Sequence, residues 1–220
     1  MLSPIVMTEF APTLDGVLFE GLKQRSPEKS NEELREKLKQ VLAFNEEAGV
    51  FHASSMRFGV TREQGVTTWE YRRGDRLHEG KRSSSMFLPN GKNRYKDIVV
   101  AGGPTKKRMT IRPAYCTPYA VFDAVGDVHA IKDLLSNTFV GLGYDAQNVG
   151  MGAFECASIE IMELDLDVSL SEAGLAKRPI PFGFSDGVVA DAALRPPYYA
   201  EARQRCVVPE RVSLINVESI

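Results

Sequence analysis

The amino-acid sequence predicts an α+β protein that forms a single domain over residues 1–220. Two segments, following Thr13 and Asp127, carry apolar residues at the spacing of an amphipathic helix. Around them, short runs of alternating apolar and polar residues predict strands. With 220 residues, of which 43% are hydrophobic, the chain is long enough to bury a sizeable core.

The N-terminal part begins with a predicted strand and two predicted helices. Apolar residues over 2–10 favour the strand, and Thr13 then offers an N-cap for a helix whose first turn contains Asp15. A negative charge is favourable in that turn because the helix dipole is positive there. Residues 30–46 are predicted to form an exposed amphipathic helix, a candidate insertion, whose apolar stripe suits either core packing or the docking of a partner.

The remaining elements complete the order strand, helix, several strands, helix, glycine-rich loop, strand. They are predicted as a loop or long bent hairpin at 74–96, a helix capped by Asp127, and strands at 50–60, 66–73, 97–101 and 153–164. That order is typical of a ferredoxin-like or RRM-like fold, whose sheet often binds single-stranded RNA. A proline-rich C-terminal tail, about 177–220, is predicted to lie across this body.

The glycine-rich loop is predicted between the helix that Asp127 caps and the last predicted strand. Gly141, Gly143, Gly150 and Gly152 allow positive φ and let backbone N–H groups face an anion. The loop is not a Walker loop, since no Gly-Lys-Ser/Thr follows, and it is not a dinucleotide-binding turn, since a strand comes next. A turn without a ligand is an equally good interpretation of the local pattern.

Positive charge is concentrated in a basic β-rich insertion, about 57–112. This insertion holds 14 basic and 5 acidic side chains, a formal charge of +9, whereas the whole chain carries −2 and the remainder therefore −11. A partner meets such a local field rather than the average of the chain. The predicted partner is a polyanion, and the alternative is a solvated β-meander whose charges only keep the protein in solution.

The composition of the insertion suits single-stranded nucleic acid, because basic groups hold phosphates and aromatic rings stack on bases. Trp69 and Tyr71 are the predicted stacking faces. Phosphate contacts are predicted for ten basic residues: Arg57, Arg72, Arg73, Lys81, Arg82, Lys92, Arg94, Lys106, Lys107 and Arg108.

The cysteine pattern and the hydropathy indicate the cellular compartment of the protein and whether it binds a metal. Cys116, Cys156 and Cys206 are odd in number and widely spaced, which fits buried free thiols better than a disulfide framework or a CxxC metal site. No apolar stretch reaches about 18 residues, and residues 1–20 lack a leader pattern. We therefore expect a cytoplasmic protein with no metal, no cofactor and no membrane partner.

Several short motifs, spread over most of the chain, resemble one known family. They are Thr13-Leu14-Asp15-Gly16-Val17-Leu18, Phe122 with Gly126-Asp127, Gly150-Met151-Gly152, Arg178-Pro179-Ile180-Pro181 and Arg195-Pro196-Pro197-Tyr198-Tyr199. Together they resemble the RAMP-superfamily subunit of type IV CRISPR effector complexes, the subunit of the fifth-Cas-protein type that caps the 5′ handle of the guide RNA.

The resemblance implies a non-catalytic RNA-binding subunit with a ferredoxin-like (RAMP) fold. Such a subunit caps the repeat-derived 5′ handle of CRISPR guide RNA and packs against the backbone filament subunit, with the large subunit and the target DNA nearby. The chain departs from the family in its glycine loop, where the run of residues 142–146 carries no cation although the family typically has Lys or Arg. Phosphate contacts are therefore assigned to the basic insertion.

Two alternative functions stay open at this point. Some RAMP proteins cut RNA, so His52, His78 and His129 are candidate acids or bases, and Tyr71 or Tyr95 could activate a 2′-hydroxyl. His78 lies among basic residues and is the best candidate for a metal-independent endoribonuclease of CRISPR repeat RNA. No His pair or carboxylate cluster accompanies it, so we expect no enzyme activity. The second alternative is a protein-interaction scaffold without RNA contact.

Overall fold

The computed structural model describes residues 5–6, 10–74, 87–90, 93–98, 109–138, 141–142, 161, 163 and 166–219. Within these residues the protein has an α+β fold, as predicted, with three helices and several small sheets. The chain divides into two compact units. The larger unit consists of Met1–Thr68 and Ala114–Ile220, and the smaller unit is Trp69–Pro113.

The helices are α1 (Leu14–Arg25), α2 (Asn31–Leu38) and α3 (Val128–Asn137). The strands are β1 (Ile5–Val6), β2 (Phe44–Asn45), β3 (Val50–Phe51), β4 (Arg57–Val60), β5 (Thr67–Gly74), β6 (Phe87–Asn90), β7 (Asn93–Ile98), β8 (Met109–Cys116), β9 (Tyr119–Val121), β10 (Ser171–Glu172), β11 (Leu175–Ala176), β12 (Val188–Ala192), β13 (Gln204–Val208) and β14 (Leu214–Asn216). A short 3-10 helix, Val217–Ser219, follows β14.

The three helices share one core of the larger unit. α1 begins after Thr13 and α3 after Asp127, the two N-caps that the sequence predicts. The Asp127 carboxylate accepts hydrogen bonds from His129 N (2.8 Å) and Ala130 N (3.0 Å), whereas the Thr13 side chain makes no cap bond. The helices bury leucine and phenylalanine side chains together, each contributing roughly 1.5–3 kcal/mol. These residues are Leu14, Leu18, Phe19, Leu34, Leu38 and Leu134.

Helix α2 is shorter than the helix predicted over 30–46. Ser30 and Glu33 form a capping box at its start, but it ends at Leu38. The chain then turns into the antiparallel pair β2–β3, and Gly49 supplies a positive φ of 66° in the connecting turn. Both leucines of α2 are fully buried and Glu32, Glu33 and Glu36 are exposed, so the helix is amphipathic as predicted, its apolar stripe packs in the core, and only its predicted length is wrong.

The strand predicted over 50–60 is interrupted and forms two strands, β3 and β4. Residues between them make isolated bridges to separate neighbours, Ala53 to Ala124 and Ser55 to Thr13, and therefore do not continue one ladder. β4 lies in the middle of a three-stranded sheet, parallel to β14 and antiparallel to β9. Also in the larger unit, β1 pairs with β8 at Ile5↔Tyr115.

The C-terminal segment is part of the core, and the prediction of a tail lying across the body is wrong. β12 and β13 form an antiparallel ladder, and Ile180 bridges to Val207 beside it. Arg35 of α2 and Arg195 both donate to the Glu201 carboxylate, which ties the segment to the helices. A second core cluster is drawn mainly from this segment: Ala48, Val50, Ala176, Ile180, Ala192, Leu194, Cys206, Val207 and Val208.

The smaller unit contains β5 from Trp69 onward and β8 up to Pro113, which are neighbours in one sheet, and β6 and β7, which form an antiparallel hairpin. The hairpin pairs Phe87 with Ile98 and Asn90 with Asn93, and it includes part of the segment predicted as a loop or bent hairpin. β5 agrees with the strand predicted over 66–73.

Some predictions lie wholly or partly outside the described residues. These are most of the strand over 153–164 and most of the glycine loop, of which Gly141 and the buried Leu142 are described. Cys116 and Cys206 are buried free thiols, as predicted, and Cys156 lies outside the described residues.

Candidate nucleic-acid interface

The boundary between the two units coincides with a change of charge. Trp69–Pro113 contains 12 basic and 4 acidic side chains, a formal charge of +8. Since the whole chain carries −2, the larger unit carries −10. The compact unit that spans 69–113 therefore corresponds to most of the basic insertion, and its net charge is positive.

Strand β5 presents the two predicted stacking residues on one face. Side chains alternate along a strand, so Trp69 and Tyr71 share a side, and Glu70 and Arg72 share the other. Trp69 is 62% exposed, which is unusual for the largest apolar side chain, and Tyr71 is half-buried. An exposed indole beside a phenol ring is a surface on which nucleobases can stack.

On the opposite face of β5, Arg72 is paired with Glu70. Its Nη2 lies 2.5 Å and its Nε 3.1 Å from Glu70 Oε2. Both side chains are more than half exposed, and an ion pair of this kind contributes no more than about 1 kcal/mol. A phosphate could therefore replace the carboxylate at little cost, but Arg72 does not lie on the face of Trp69.

Arg57 belongs to the larger unit and is held there by carboxylates. Its Nη2 lies 2.7 Å from Asp123 Oδ2, and Lys177 Nζ approaches the same oxygen at 2.9 Å. Lys177 also contacts Glu172 at 2.6 Å, and this hydrogen bond lowers the pKa of Glu172. Arg57 and Asp123 are largely buried, so breaking their ion pair would cost several kcal/mol of free energy. The predicted contact of Arg57 with a phosphate would require this pair to break.

The other predicted contact residues fall where their side chains are not described. Arg73 lies in β5 and Arg94 in β7, but only their strand placement is described. The remaining ones lie outside the described residues: His78, Lys81, Arg82, Lys92, Lys106, Lys107, Arg108, Gly143, Gly150 and Gly152.

A buried polar network in the larger unit joins residues that sequence analysis did not connect. Arg178 is completely buried and donates to four backbone carbonyls, those of Phe51 (2.6 Å), Ala53 (3.1 Å), Leu194 (2.7 Å) and Pro179 (3.4 Å). Its Nη2 also lies 3.1 Å from Asp15 Oδ2 and 2.9 Å from the Tyr198 hydroxyl.

Tyr198 closes the network by donating to the Asp15 carboxylate at 2.8 Å. Burial lowers the pKa of Arg178, but Asp15 and Tyr198 outweigh that effect and raise it, so the guanidinium stays charged. Burial is also the main cause of the raised pKa of Tyr198, which keeps the phenol protonated. Gly16 lets the ring approach α1, because a Cβ there would lie 3.0 Å from Tyr198 Cε2.

Asp15 lies in the first turn of α1, as predicted, and its carboxylate accepts a hydrogen bond from Gly16 N in that turn. The sequence did not reveal its second role, since its side chain is fully buried and is the counter-ion of Arg178. The signal available in the sequence was the position of Arg178 within an apolar, proline-rich run, where a charged side chain requires buried partners. Three motifs that carry the family resemblance, at 13–18, 178–181 and 195–199, meet in this network.

The described histidines do not form a nucleophilic arrangement. His52 Nδ1 lies 2.7 Å from Asp167 Oδ2, and Ser169 Oγ lies 3.3 Å from the same nitrogen. In a Ser-His-Asp triad the carboxylate and the serine hydroxyl bind opposite nitrogens of the imidazole, whereas here both lie at Nδ1. The His52 cluster therefore links separate segments of the chain and does not activate Ser169 as a nucleophile. His129 lies exposed on α3.

Comparison of the chain with protein-family models and with curated proteins finds no significant match to either. Among the described residues, no three metal-ligating side chains of the His, Cys, Asp or Glu type lie together. No helix in the described part of the chain has the length and apolar character needed to cross a membrane.

Proposed function

We propose that this protein is a non-catalytic RNA-binding subunit of a CRISPR effector complex, one that caps the repeat-derived 5′ handle of the guide RNA. The observation that carries the proposal is the segregation of +8 onto the smaller unit of a chain whose net charge is −2. A field of this size attracts a polyanion even though the whole protein is mildly acidic.

The smaller unit also offers the second element of single-strand recognition. Trp69 and Tyr71 share a face of β5, and the indole is 62% exposed. Cationic groups hold the phosphates of a strand while aromatic faces stack on its bases, and stacking contributes about 1–3 kcal/mol per base. The proposal assigns RNA contact to this unit and excludes Arg57, whose guanidinium is bound to Asp123.

The meeting of three family-like motifs around Arg178 supports the resemblance. The three segments are far apart in the sequence but share one buried hydrogen-bond network. Proteins with the same fold would need the same network to hold these segments together. The proposal accordingly includes the ferredoxin-like (RAMP) fold, and it includes packing against a backbone filament subunit with a large subunit close by.

The sole tryptophan makes RNA binding directly measurable. Trp69 is the only tryptophan of the chain, so its fluorescence reports on the proposed stacking face. We expect a handle RNA to quench this fluorescence and to bind at least tenfold more tightly than a shuffled RNA of equal length. The logarithm of the affinity should fall by about 0.7 per phosphate contact for each tenfold rise in salt.

Two variants separate stacking from folding. Trp69→Ala should weaken RNA binding by about 1–3 kcal/mol, measured with labelled RNA, whereas Trp69→Phe should retain most of the affinity. Equal affinity for handle and shuffled RNA would overturn handle capping, and salt-independent binding would overturn the phosphate contacts. RNA should remain intact after long incubation, because shortened products would favour the endoribonuclease.

A further inference from the structure

The turn that joins α1 to α2 brings two lysines together beside a serine. Lys37 of α2 donates a hydrogen bond from Nζ to Ser26 Oγ at 3.0 Å, across the turn. Lys29 lies in the turn itself, where its backbone N–H donates to the Ser26 carbonyl at 3.2 Å, and its ammonium is close enough to that of Lys37 for the two charges to repel. All three residues are half-buried. The proposed RNA-binding surface does not use this cluster.

Lys37 differs from the next lysine along the chain in the partners of its ammonium group. Lys39 Nζ lies 3.2 Å from a Glu36 carboxylate oxygen and 3.8 Å from one of Glu46. Among the described residues, no carboxylate lies within ion-pair distance of Lys37 Nζ, whose nearest polar partner is the Ser26 hydroxyl. A half-buried ammonium that faces a hydroxyl and a second ammonium is stabilised less than one that faces two carboxylates.

This environment favours the neutral amine of Lys37. Burial is the main cause that lowers the pKa of Lys37 and the contact with Lys29 lowers it further, whereas the more distant charges of Glu28 and Glu33 raise it by less. The neutral amine is the nucleophilic form of lysine, and a neighbouring cation is one of the ways in which proteins activate it. At neutral pH, a larger fraction of Lys37 than of an ordinary lysine is therefore able to attack an electrophile.

We propose that Lys37 is a site of covalent acylation by acyl phosphates, with the Lys29 ammonium holding the phosphate group of the reagent. The Nζ lone pair attacks the acyl carbon and forms an amide bond, while the bond from that carbon to the phosphate oxygen breaks. Inorganic phosphate leaves with the bonding electrons, and the amine proton passes to water. The product is a neutral amide, so the repulsion between Lys37 and Lys29 is removed. This inference goes beyond the proposed RNA binding and does not depend on it.

Acetyl phosphate is the probe, added to the folded full chain, and the acetylation of each lysine is measured by peptide mass spectrometry at low conversion. Lys132, an exposed lysine of α3, is the internal control. Lys37 should react at least about fivefold faster than Lys132, because its environment favours the neutral amine and its neighbour Lys29 holds the phosphate. In concentrated urea the two rates should agree within about twofold, because unfolding separates Lys37 from both Ser26 and Lys29.

A second reagent separates the two effects of Lys29. N-hydroxysuccinimidyl acetate transfers the same acetyl group but carries no phosphate, so it reports only the nucleophilicity of Lys37. Lys29→Gln should slow the acetylation of Lys37 by both reagents, and by at least about threefold more with acetyl phosphate, because the cation that holds the phosphate is lost. The rate at Lys132 should not change, and circular dichroism shows whether the variant keeps its helices.

Three results would contradict the inference. Equal rates for Lys37 and Lys132 in the folded chain would show that Lys37 is an ordinary lysine. A preference for Lys37 that persists in urea would show that the fold does not create it. Equal slowing of the two reagents in Lys29→Gln would overturn the holding of the phosphate by Lys29, and with it the choice of acyl phosphates as the reagent class.

Discussion

Replacing Arg178 by methionine removes the centre of the buried network and leaves a carboxylate behind. Asp15 would stay fully buried without its counter-ion, and the carbonyls of Phe51, Ala53 and Leu194 would lose their shared donor. Breaking a buried pair from one side costs about 3–5 kcal/mol. Since domains are stable by only about 5–15 kcal/mol, the variant should lose a large part of its stability.

Urea unfolding followed by far-ultraviolet circular dichroism measures this loss, because all three described helices lie in the larger unit. Arg25→Met is the matched control. Its guanidinium pairs with Asp133 at 2.5 Å, but the two side chains are 36% and 50% exposed, so the urea midpoint should stay close to that of the wild type.

A double variant tests the reason for the loss. Adding Asp15→Asn to Arg178→Met removes the stranded charge and should recover part of the stability lost by the single variant. A loss below about 1 kcal/mol for Arg178→Met, or strict additivity of the two substitutions, would refute the view that Asp15 and Arg178 form a buried pair.

Two further predictions concern the larger unit. Gly126→Ala should cost about 1–3 kcal/mol in urea unfolding, because its Cβ would lie 2.2 Å from the Val41 carbonyl oxygen, whereas Gly65→Ala meets nothing within 4 Å and should be neutral. Burial raises the pKa of Glu201, but the hydrogen bond from Arg195 and the positive charge of Arg35 outweigh burial and lower the pKa below 4.5. The ionised form therefore stabilises the fold above pH 4.5, and this stability is lost as the pH falls through the lowered value. Glu201→Gln should cost about 1 kcal/mol at neutral pH, and its difference from the wild type should shrink in acid; a constant difference would contradict this.

Local sequence signals predicted the helix starts correctly. The Asp127 cap depends on the backbone of the next few residues, so its chemistry is visible in the sequence around it. Periodicity also identified the apolar stripe of α2. It could not show where the helix ends, because the turn into β2 is set by pairing with β3 and by Gly49.

The buried network could not be predicted in the same way. Asp15 and Arg178 are 163 residues apart in the chain, and a single sequence carries no signal that pairs them. The same limit applies to Arg57, because nothing in the sequence distinguishes it from the other cations or identifies Asp123 as its partner. The charge of the smaller unit, in contrast, is a sum over neighbouring residues and could be read from the sequence alone.

The most direct test of the RNA-binding account compares two charge-matched triple variants of the full chain. One reverses the run Lys106, Lys107 and Arg108 to glutamate, and the other reverses one half-buried and two exposed cations of the larger unit, Lys29, Lys132 and Arg211. The account predicts that the first lowers affinity for the handle RNA at least tenfold and flattens its salt dependence by up to about 2 in logarithmic slope, while the second changes affinity no more than about twofold. Equal losses in both variants, or none in the first, would contradict it.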